Sequence, residues 1–165
     1  MGGPDLSLIT AIAFDFDGVF TDDRVIVSES GEESVVCSRS DGMGIGLLRS
    51  AGIRMIIISK ERNGVVAARA KKLSLDVVQG CDDKLPELVR WMASIGVAPA
   101  ETAYMGNDVN DIDCMRHVGL SIAPRDAHRD VLAIARLVTE RPGGRGAIRE
   151  VADGILASGR RSVKE

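Results

Sequence analysis

The stretch Ile12-Ala13-Phe14-Asp15-Phe16-Asp17-Gly18-Val19-Phe20-Thr21-Asp22 decides how this chain folds. An apolar run enters it from Leu8 and ends in two carboxylates, Asp15 and Asp17, on either side of Phe16. A short apolar run of this kind predicts a buried strand of a parallel sheet, here over residues 8–14. Gly18 then breaks the strand and lets the backbone turn. Side chains alternate along a strand, so Asp15 and Asp17 share a side until the turn begins. Open α/β sheets bind their ligands at the C-terminal ends of strands. Two carboxylates there are costly unless they hold a cation or do chemistry. An acidic turn after an edge strand would need no ligand, but three further pieces follow in order along the chain.

Working outward, apolar runs and helical patterns alternate. Residues 25–27 and 34–37 flank Glu29-Ser30-Gly31-Glu32 and predict a β-hairpin over about 24–38. Asp41 is a candidate cap for a helix through Ile45, Leu47 and Leu48 that stops near Gly52. Strands are expected over 54–58, 76–79, 102–105 and 120–123, with a last one around Val138. Helices are expected over 65–73, 109–117, 131–135 and 147–156, and over a segment capped by Asp82 or Asp83 that ends near Gly96. Strands alternating with helices imply a parallel sheet covered on both faces, a three-layer α/β/α arrangement. The segment 159–165, with Arg160 and Arg161, reads as a polar, mobile tail.

Bulk properties exclude several classes. The 165 residues suit one domain with a real core. A net charge of −3 lacks the basic footprint of a nucleic-acid binder. No apolar run approaches the ~20 residues of a membrane span. The start, Met1-Gly2-Gly3-Pro4-Asp5, lacks the charge and apolar region of a signal peptide. Cys37, Cys81 and Cys114 have no metal-site spacing and read as reduced thiols of a cytoplasmic protein. His117 and His128 have no His or Cys partner at metal spacing.

The candidate site has four pieces. Asp15-Phe16-Asp17-Gly18 is the first. The second is Ser59, just past a strand, where a hydroxyl and the following N–H groups can hold a phosphate oxygen. The third is Lys84, in the first turn of a helix, the unfavourable end of the dipole for a cation. The fourth, Met105-Gly106-Asn107-Asp108-Val109-Asn110-Asp111, again sets acidic and amide groups between a strand and a helix. Taken singly, each has a plain structural explanation: a turn, a surface lysine, an N-cap. Together they are far more specific.

The joint pattern resembles the haloacid dehalogenase-like phosphatases over roughly residues 12–156. The resemblance implies a Rossmann-like haloacid dehalogenase fold and a Mg²⁺ site between the first and last pieces. It implies Asp15 as nucleophile and Asp17 as acid and base, with the Asp17 main-chain carbonyl on the metal. Ser59 and Lys84 would hold the phosphoryl group, and Asn107, Asp108 and Asp111 would supply or support the metal site. The physics agrees: a carboxylate and a phosphate must meet, which calls for a hard cation with oxygen ligands. Asp17 must be protonated to help a leaving group depart, which calls for a raised pKa.

Only 44 positions separate Asp15 from Ser59 and 25 separate Ser59 from Lys84, so neither gap holds a cap domain. Finer details resemble one capless branch, the 3-deoxy-D-manno-octulosonate 8-phosphate phosphatases and their nine-carbon relatives. The same module occurs at the C-terminus of some acylneuraminate cytidylyltransferases. The matching stretches include Asp41-Gly42-Met43-Gly44-Ile45, Gln79-Gly80, Asp126-Ala127-His128 and Gly143-Gly144-Arg145-Gly146-Ala147-Ile148-Arg149-Glu150. This branch implies a homotetramer whose hairpins complete neighbouring sites. It also implies a small sugar-acid phosphate as substrate, for which Gly18, Lys60 and Glu61 are candidate contacts, with Arg39, Lys72 and Arg145 as candidates for its carboxylate near a subunit interface. Two departures stand out. Ser59-Lys60-Glu61 replaces a usual Thr-Gly-Arg, which disfavours the eight-carbon substrate. Asn107 replaces a usual Asp, giving the metal an amide oxygen with no charge.

Overall fold

The computed structural model describes residues 4–159. The chain enters through a single 3₁₀ turn, Leu6–Leu8, and only then forms strand β1, Ala11–Phe14. The first strand is therefore shorter than its apolar run, because Asp5 accepts the Ser7 N–H at 3.0 Å and caps that turn. Then come β2 (Ile26–Val27), β3 (Glu33–Ser34), α1 (Arg39–Ser50), β4 (Arg54–Ile58), α2 (Gly64–Leu73) and β5 (Asp76–Val78). The second half holds α3 (Lys84–Ile95), β6 (Thr102–Met105), α4 (Ile112–His117), β7 (Leu120–Ala123), α5 (Arg129–Leu132), β8 (Leu137–Val138) and α6 (Ala147–Ala157).

Six strands form one parallel sheet in the order β5-β4-β1-β6-β7-β8. The chain builds outward from β1 on one side, then crosses to the other, so β1 and β6 flank the topological switch point. Period-two alternation sorts the side chains. Ile12 and Phe14 face a core with Ile45 and Leu48 of α1, Val66 of α2, and Ile148 and Val151 of α6. Ala11 and Ala13 face the other core, with Leu88 and Trp91 of α3, Met115 of α4 and Val131 of α5. Both faces of β1 are covered, and all four of its residues are fully buried. This is the three-layer α/β/α haloacid dehalogenase fold. Between β1 and β4 lie only the β2–β3 hairpin and α1, and between β4 and α3 only α2 and β5, so there is no cap domain.

Several elements differ from expectation for physical reasons. Ser38, not Asp41, is the N-cap of α1, its Oγ accepting the Asp41 N–H at 3.3 Å. Asp41 caps a different helix: its carboxylate accepts the N–H groups of Gly146 and Arg149, at the start of α6. The helix expected over 109–117 divides into a 3₁₀ turn, Val109–Asp111, and α4. Of the two candidates for α3, Asp83 is the cap. The mobile tail expected beyond residue 159, with Arg160 and Arg161, lies outside the described residues. Among the described residues, no helix is long and apolar enough to cross a membrane.

Leu48 is fully buried between α1 and its neighbours. Leu48→Ala is expected to cost about 2–5 kcal/mol of unfolding free energy in urea titrations, by lost burial plus a residual cavity. A loss below ~0.5 kcal/mol would mean that α1 is not packed as described.

Candidate active site

Alternation along β1 carries Asp15 to the α3–α4 side of the sheet. There Lys84, the first residue of α3, sends its ammonium between two carboxylates. Its Nζ lies 2.7 Å from Asp15 Oδ1 and 2.8 Å from Asp111 Oδ1. All three groups are buried. Burial works against the lysine's charge, but the two carboxylates outweigh it and raise its pKa. The ion pairs thus offset the unfavourable helix position noted above.

Asp111 has no oxygen left for a metal. Its Oδ1 accepts from Lys84 and from the Tyr104 hydroxyl at 2.8 Å, and its Oδ2 accepts the N–H groups of Asn107 at 3.0 Å and Asp108 at 3.3 Å. It supports the Asn107 loop rather than facing the cleft. Tyr104, fully buried on β6, is a member of this network that sequence reading passed over. A tyrosine in an apolar strand carries no mark of polar duty.

Asp15 Oδ1 also accepts the Phe16 N–H at 2.7 Å. Burial, and then the Asp111 carboxylate, push the Asp15 pKa upward against the pull of Lys84. The Asn107 side-chain amide stands 3.2 Å from Asp15 Oδ2 and 2.8 Å from the Asp17 carbonyl oxygen. With its oxygen inward, three oxygens converge with no proton among them, the arrangement a hard cation gathers. With its nitrogen inward, the amide donates to both and takes the cation's place. A carboxylate, a main-chain carbonyl and an amide suit Mg²⁺, and a cation here would offset the burial that disfavours ionised Asp15. No trio of His, Cys, Asp or Glu side chains among the described residues is grouped for a metal. Two of the three converging donors are not acidic side chains: one is a main-chain carbonyl and one an amide.

Gly18 is required at this point. It has φ +76°, and a β-carbon there would fall 1.9 Å from Asn107 Nδ2. Thr21, fully buried, closes the turn: its Oγ1 accepts the Gly18 and Asp23 N–H groups and lies 3.5 Å from Asp17 Oδ1. Burial, then Glu61 and Asp23, push the Asp17 carboxyl up to about 6.

The cleft in front of these groups is about 320 Å³. Asp15, Asp17, Ser59, Lys60, Glu61, Asn107 and Asp108 line it, joined by Asp23 and Asn110, which the sequence had not singled out. Ser59 is buried, its Oγ accepting the Glu61 N–H at 3.1 Å. Asp108 is exposed at the rim and spends Oδ1 on the Val109 N–H. A more open hollow of about 830 Å³, between the hairpin and the start of α2, shares Lys60 and Glu61. Three of the basic residues expected at the substrate are not in the cleft of this chain. Arg145 pairs with Asp22 at 3.2 Å, Arg39 is exposed at the start of α1, and Lys72 lies in the last turn of α2. Because α2 runs against the strands, that last turn is at the opposite end of the sheet.

A fold of this topology, with paired aspartates at the end of β1, a serine after β4, a lysine on α3 and an acidic loop after β6, defines a class. The family model for haloacid dehalogenase-like hydrolases matches residues 52–148, and the chain belongs to that family. Within it, the chain is a phosphatase of the 3-deoxy-D-manno-octulosonate 8-phosphate phosphatase group. It is 38% identical over 149 residues to the Yersinia pestis enzyme of that name, covering 90% of this chain and 80% of the relative. It is also 38% identical over 143 residues to an N-acylneuraminate cytidylyltransferase from Oncorhynchus mykiss, covering 84% of this chain and 33% of that protein. A solved haloacid dehalogenase family hydrolase from Streptomyces avermitilis superposes with TM-score 0.91 at 48% identity, over 94% of this chain and 95% of that one. The octulosonate 8-phosphate phosphatase of Moraxella catarrhalis, solved with magnesium, phosphate and the octulosonate sugar, superposes with TM-score 0.90 at 32% identity. That match covers 93% of this chain and 89% of that one.

The raised Asp17 pKa has a stability consequence. The folded state holds this proton more tightly than the unfolded chain, so its ionisation weakens folding as pH rises from about 4 to about 6. Without added metal, Asp17→Asn is expected to raise Tm at pH 7. The gain should vanish as pH is lowered toward 4, read by thermal melts across that range. A gain independent of pH would contradict the burial described here.

Proposed function

We propose that this chain is a Mg²⁺-dependent phosphatase of a 3-deoxy-2-ulosonic sugar acid phosphate, of eight or nine carbons, acting through an aspartyl phosphate as one catalytic unit. The observation that carries this reading is the fixed Asp15 carboxylate, with Oδ1 tied to Lys84 and Phe16 and Oδ2 beside Asn107 at the mouth of the cleft. Asp15, the Asp17 carbonyl and Asn107 would hold the cation, with Asp108 at the rim. When bound, Mg²⁺ supplies positive charge that lets two anions meet.

The chain's own residues supply the rest. The Asp15 carboxylate attacks phosphorus, forming one P–O bond as the bond to the sugar oxygen breaks. Asp17, whose raised pKa of about 6 keeps its proton available closer to neutral pH than an ordinary carboxyl does, gives that proton to the leaving oxygen. In the second half Asp17 takes a proton from water, which attacks the phosphoenzyme and frees phosphate and Asp15. Lys84 and Ser59 steady the phosphoryl oxygens.

Glu61 at the junction of cleft and hollow supports the nine-carbon, sialic-type sugar, since it stands where the eight-carbon branch usually carries an Arg; it can accept from sugar hydroxyl groups and repels the substrate's own carboxylate. The basic groups for that carboxylate, with Arg39, Lys72 and Arg145 as candidates, would then come from neighbouring subunits. The hairpin supports assembly: Val25, Ile26, Val27 and Val36 are 50–64% exposed, and an isolated two-stranded ribbon cannot bury them. A homotetramer would cover them and roof the open sites. Three free cysteines fit a reducing, cytoplasmic setting.

A second reading, a non-catalytic module related to the cytidylyltransferase C-terminus, draws on the likeness to that enzyme and on Asn107. Phosphate release from a panel of eight- and nine-carbon ulosonate phosphates, with and without Mg²⁺, separates the two. Turnover is expected only with Mg²⁺ and should be abolished in Asp15→Asn while the circular dichroism spectrum is unchanged. Near-full turnover in that variant would remove the proposed nucleophile.

Light scattering should give a mass near four chains, and deletion of the hairpin should lower both the mass and turnover on the sugar phosphate. A fully active monomer would refute the shared site.

A further inference from the structure

Three stretches quoted above converge behind the turn that carries Asp17: Asp41, Asp126-Ala127-His128 and Gly143-Gly144-Arg145-Gly146. Asp41 is 1% exposed, and its carboxylate accepts the N–H groups of Gly146 at 3.2 Å and Arg149 at 2.9 Å. Asp126 Oδ1 accepts the Gly143 N–H at 2.9 Å. The Gly144 N–H donates to the Val19 carbonyl at 2.9 Å, and the His128 N–H donates to the Asn107 carbonyl at 2.8 Å. These bonds close a circuit. It runs from the Asn107 loop through residues 128 to 126, across to residues 143 and 144, and into the turn that follows Asp17.

The contact at the end of the circuit is backbone on backbone. A β-carbon on Gly143 would fall 1.8 Å from the Gly18 carbonyl oxygen and 3.1 Å from that of Thr21. Nothing flexible lies between them to give way.

We propose that loop 142–146, clamped by Asp126 and Asp41, is a positioning element. It sets the distance between the Gly18 turn, which carries the Asp17 carbonyl and carboxyl, and the Asn107 loop. None of its residues touches a reacting atom. The element acts through the spacing of the oxygens from Asp15, Asp17 and Asn107, so it rests on the phosphatase reading given above. A Mg²⁺ ion tolerates little departure from its preferred geometry, so an error in this spacing is felt as lost metal affinity. Asp126 is exposed, and its only described bond through Oδ1 is to Gly143.

The test uses the full chain, calorimetric Mg²⁺ titration, and turnover of p-nitrophenyl phosphate in Gly143→Ala, Asp126→Ala and Asp126→Asn. Gly143→Ala is expected to lower kcat on the order of 10²-fold, as a misplacement of about 1 Å does, with KM for the aryl phosphate nearly unchanged. Its Mg²⁺ affinity should fall on the order of tenfold. Asp126→Ala should move both quantities in the same direction. Asp126→Asn, which keeps an acceptor oxygen for the Gly143 N–H, should restore them. Wild-type Mg²⁺ affinity and kcat in Asp126→Ala would overturn the proposal, as would an Asp126→Asn variant as impaired as Asp126→Ala. If Gly143→Ala does not fold, the Asp126 pair decides. A wild-type chain that turns over no phosphate ester would sink the functional reading, while the Mg²⁺ affinities would still judge this one.

Discussion

A single buried ammonium organises this molecule. Lys84 Nζ sits within hydrogen-bonding distance of Asp15 and Asp111, and all three side chains are buried. Such a cluster is weak evidence for stability, because desolvation consumes most of the Coulombic gain. Its value is geometric. Asp15 comes from the central strand, Lys84 from a helix on one face, and Asp111 from the loop after β6, so the triad locks three separate elements to one point. Asp111 extends the lock to Tyr104 and to the amides of the Asn107 loop. Every other functional distance is measured from that anchor.

The anchor also explains why the site calls for a cation. Among the described residues Lys84 is the only positive charge inside the cluster, and two carboxylates already share it. Asp17, Asp23, Glu61 and Asp108 stand around the same cleft, with Lys60 as the one further base among the described residues. The raised pKa values of Asp15 and Asp17 report this unbalanced charge and the burial that magnifies it. A divalent ion with oxygen ligands relieves the first, and a proton relieves the second. The two aspartates are two positions apart in sequence, yet their surroundings differ: Asp15 is tied to Lys84 and faces Asn107, while Asp17 stands beside Glu61 and Asp23.

The same economy appears around the site. The hollow beside the cleft is open, and the valines of the hairpin next to it are exposed. On the other side, the loop after β7 bonds the Asn107 carbonyl and the loop after β8 bonds the turn that follows Asp17. Capless construction thus places the burden of precision on loops at one end of the sheet.

The strands Arg54–Ile58, Thr102–Met105 and Leu120–Ala123 were legible at their observed limits, because runs buried on both faces leave a continuous apolar signal. The aspartate pair, Ser59, Lys84 and the Asn107 loop were legible as a spaced pattern, since each lies where a strand ends or a helix begins. Other features were decided only by tertiary structure. Asp41 looks like a cap for its own helix, but Ser38 takes that place, and the Asp41 carboxylate reaches residues 105 and 108 positions onward. Tyr104 reads as core, and Asp111 reads as a metal ligand until its lone pairs are counted. Lys72 lies eleven positions from Glu61, yet α2 carries it to the far end of the sheet. Local composition sets which element forms and where a motif stands. Which carboxylate meets which donor depends on contacts between distant segments, and a linear pattern does not contain those distances.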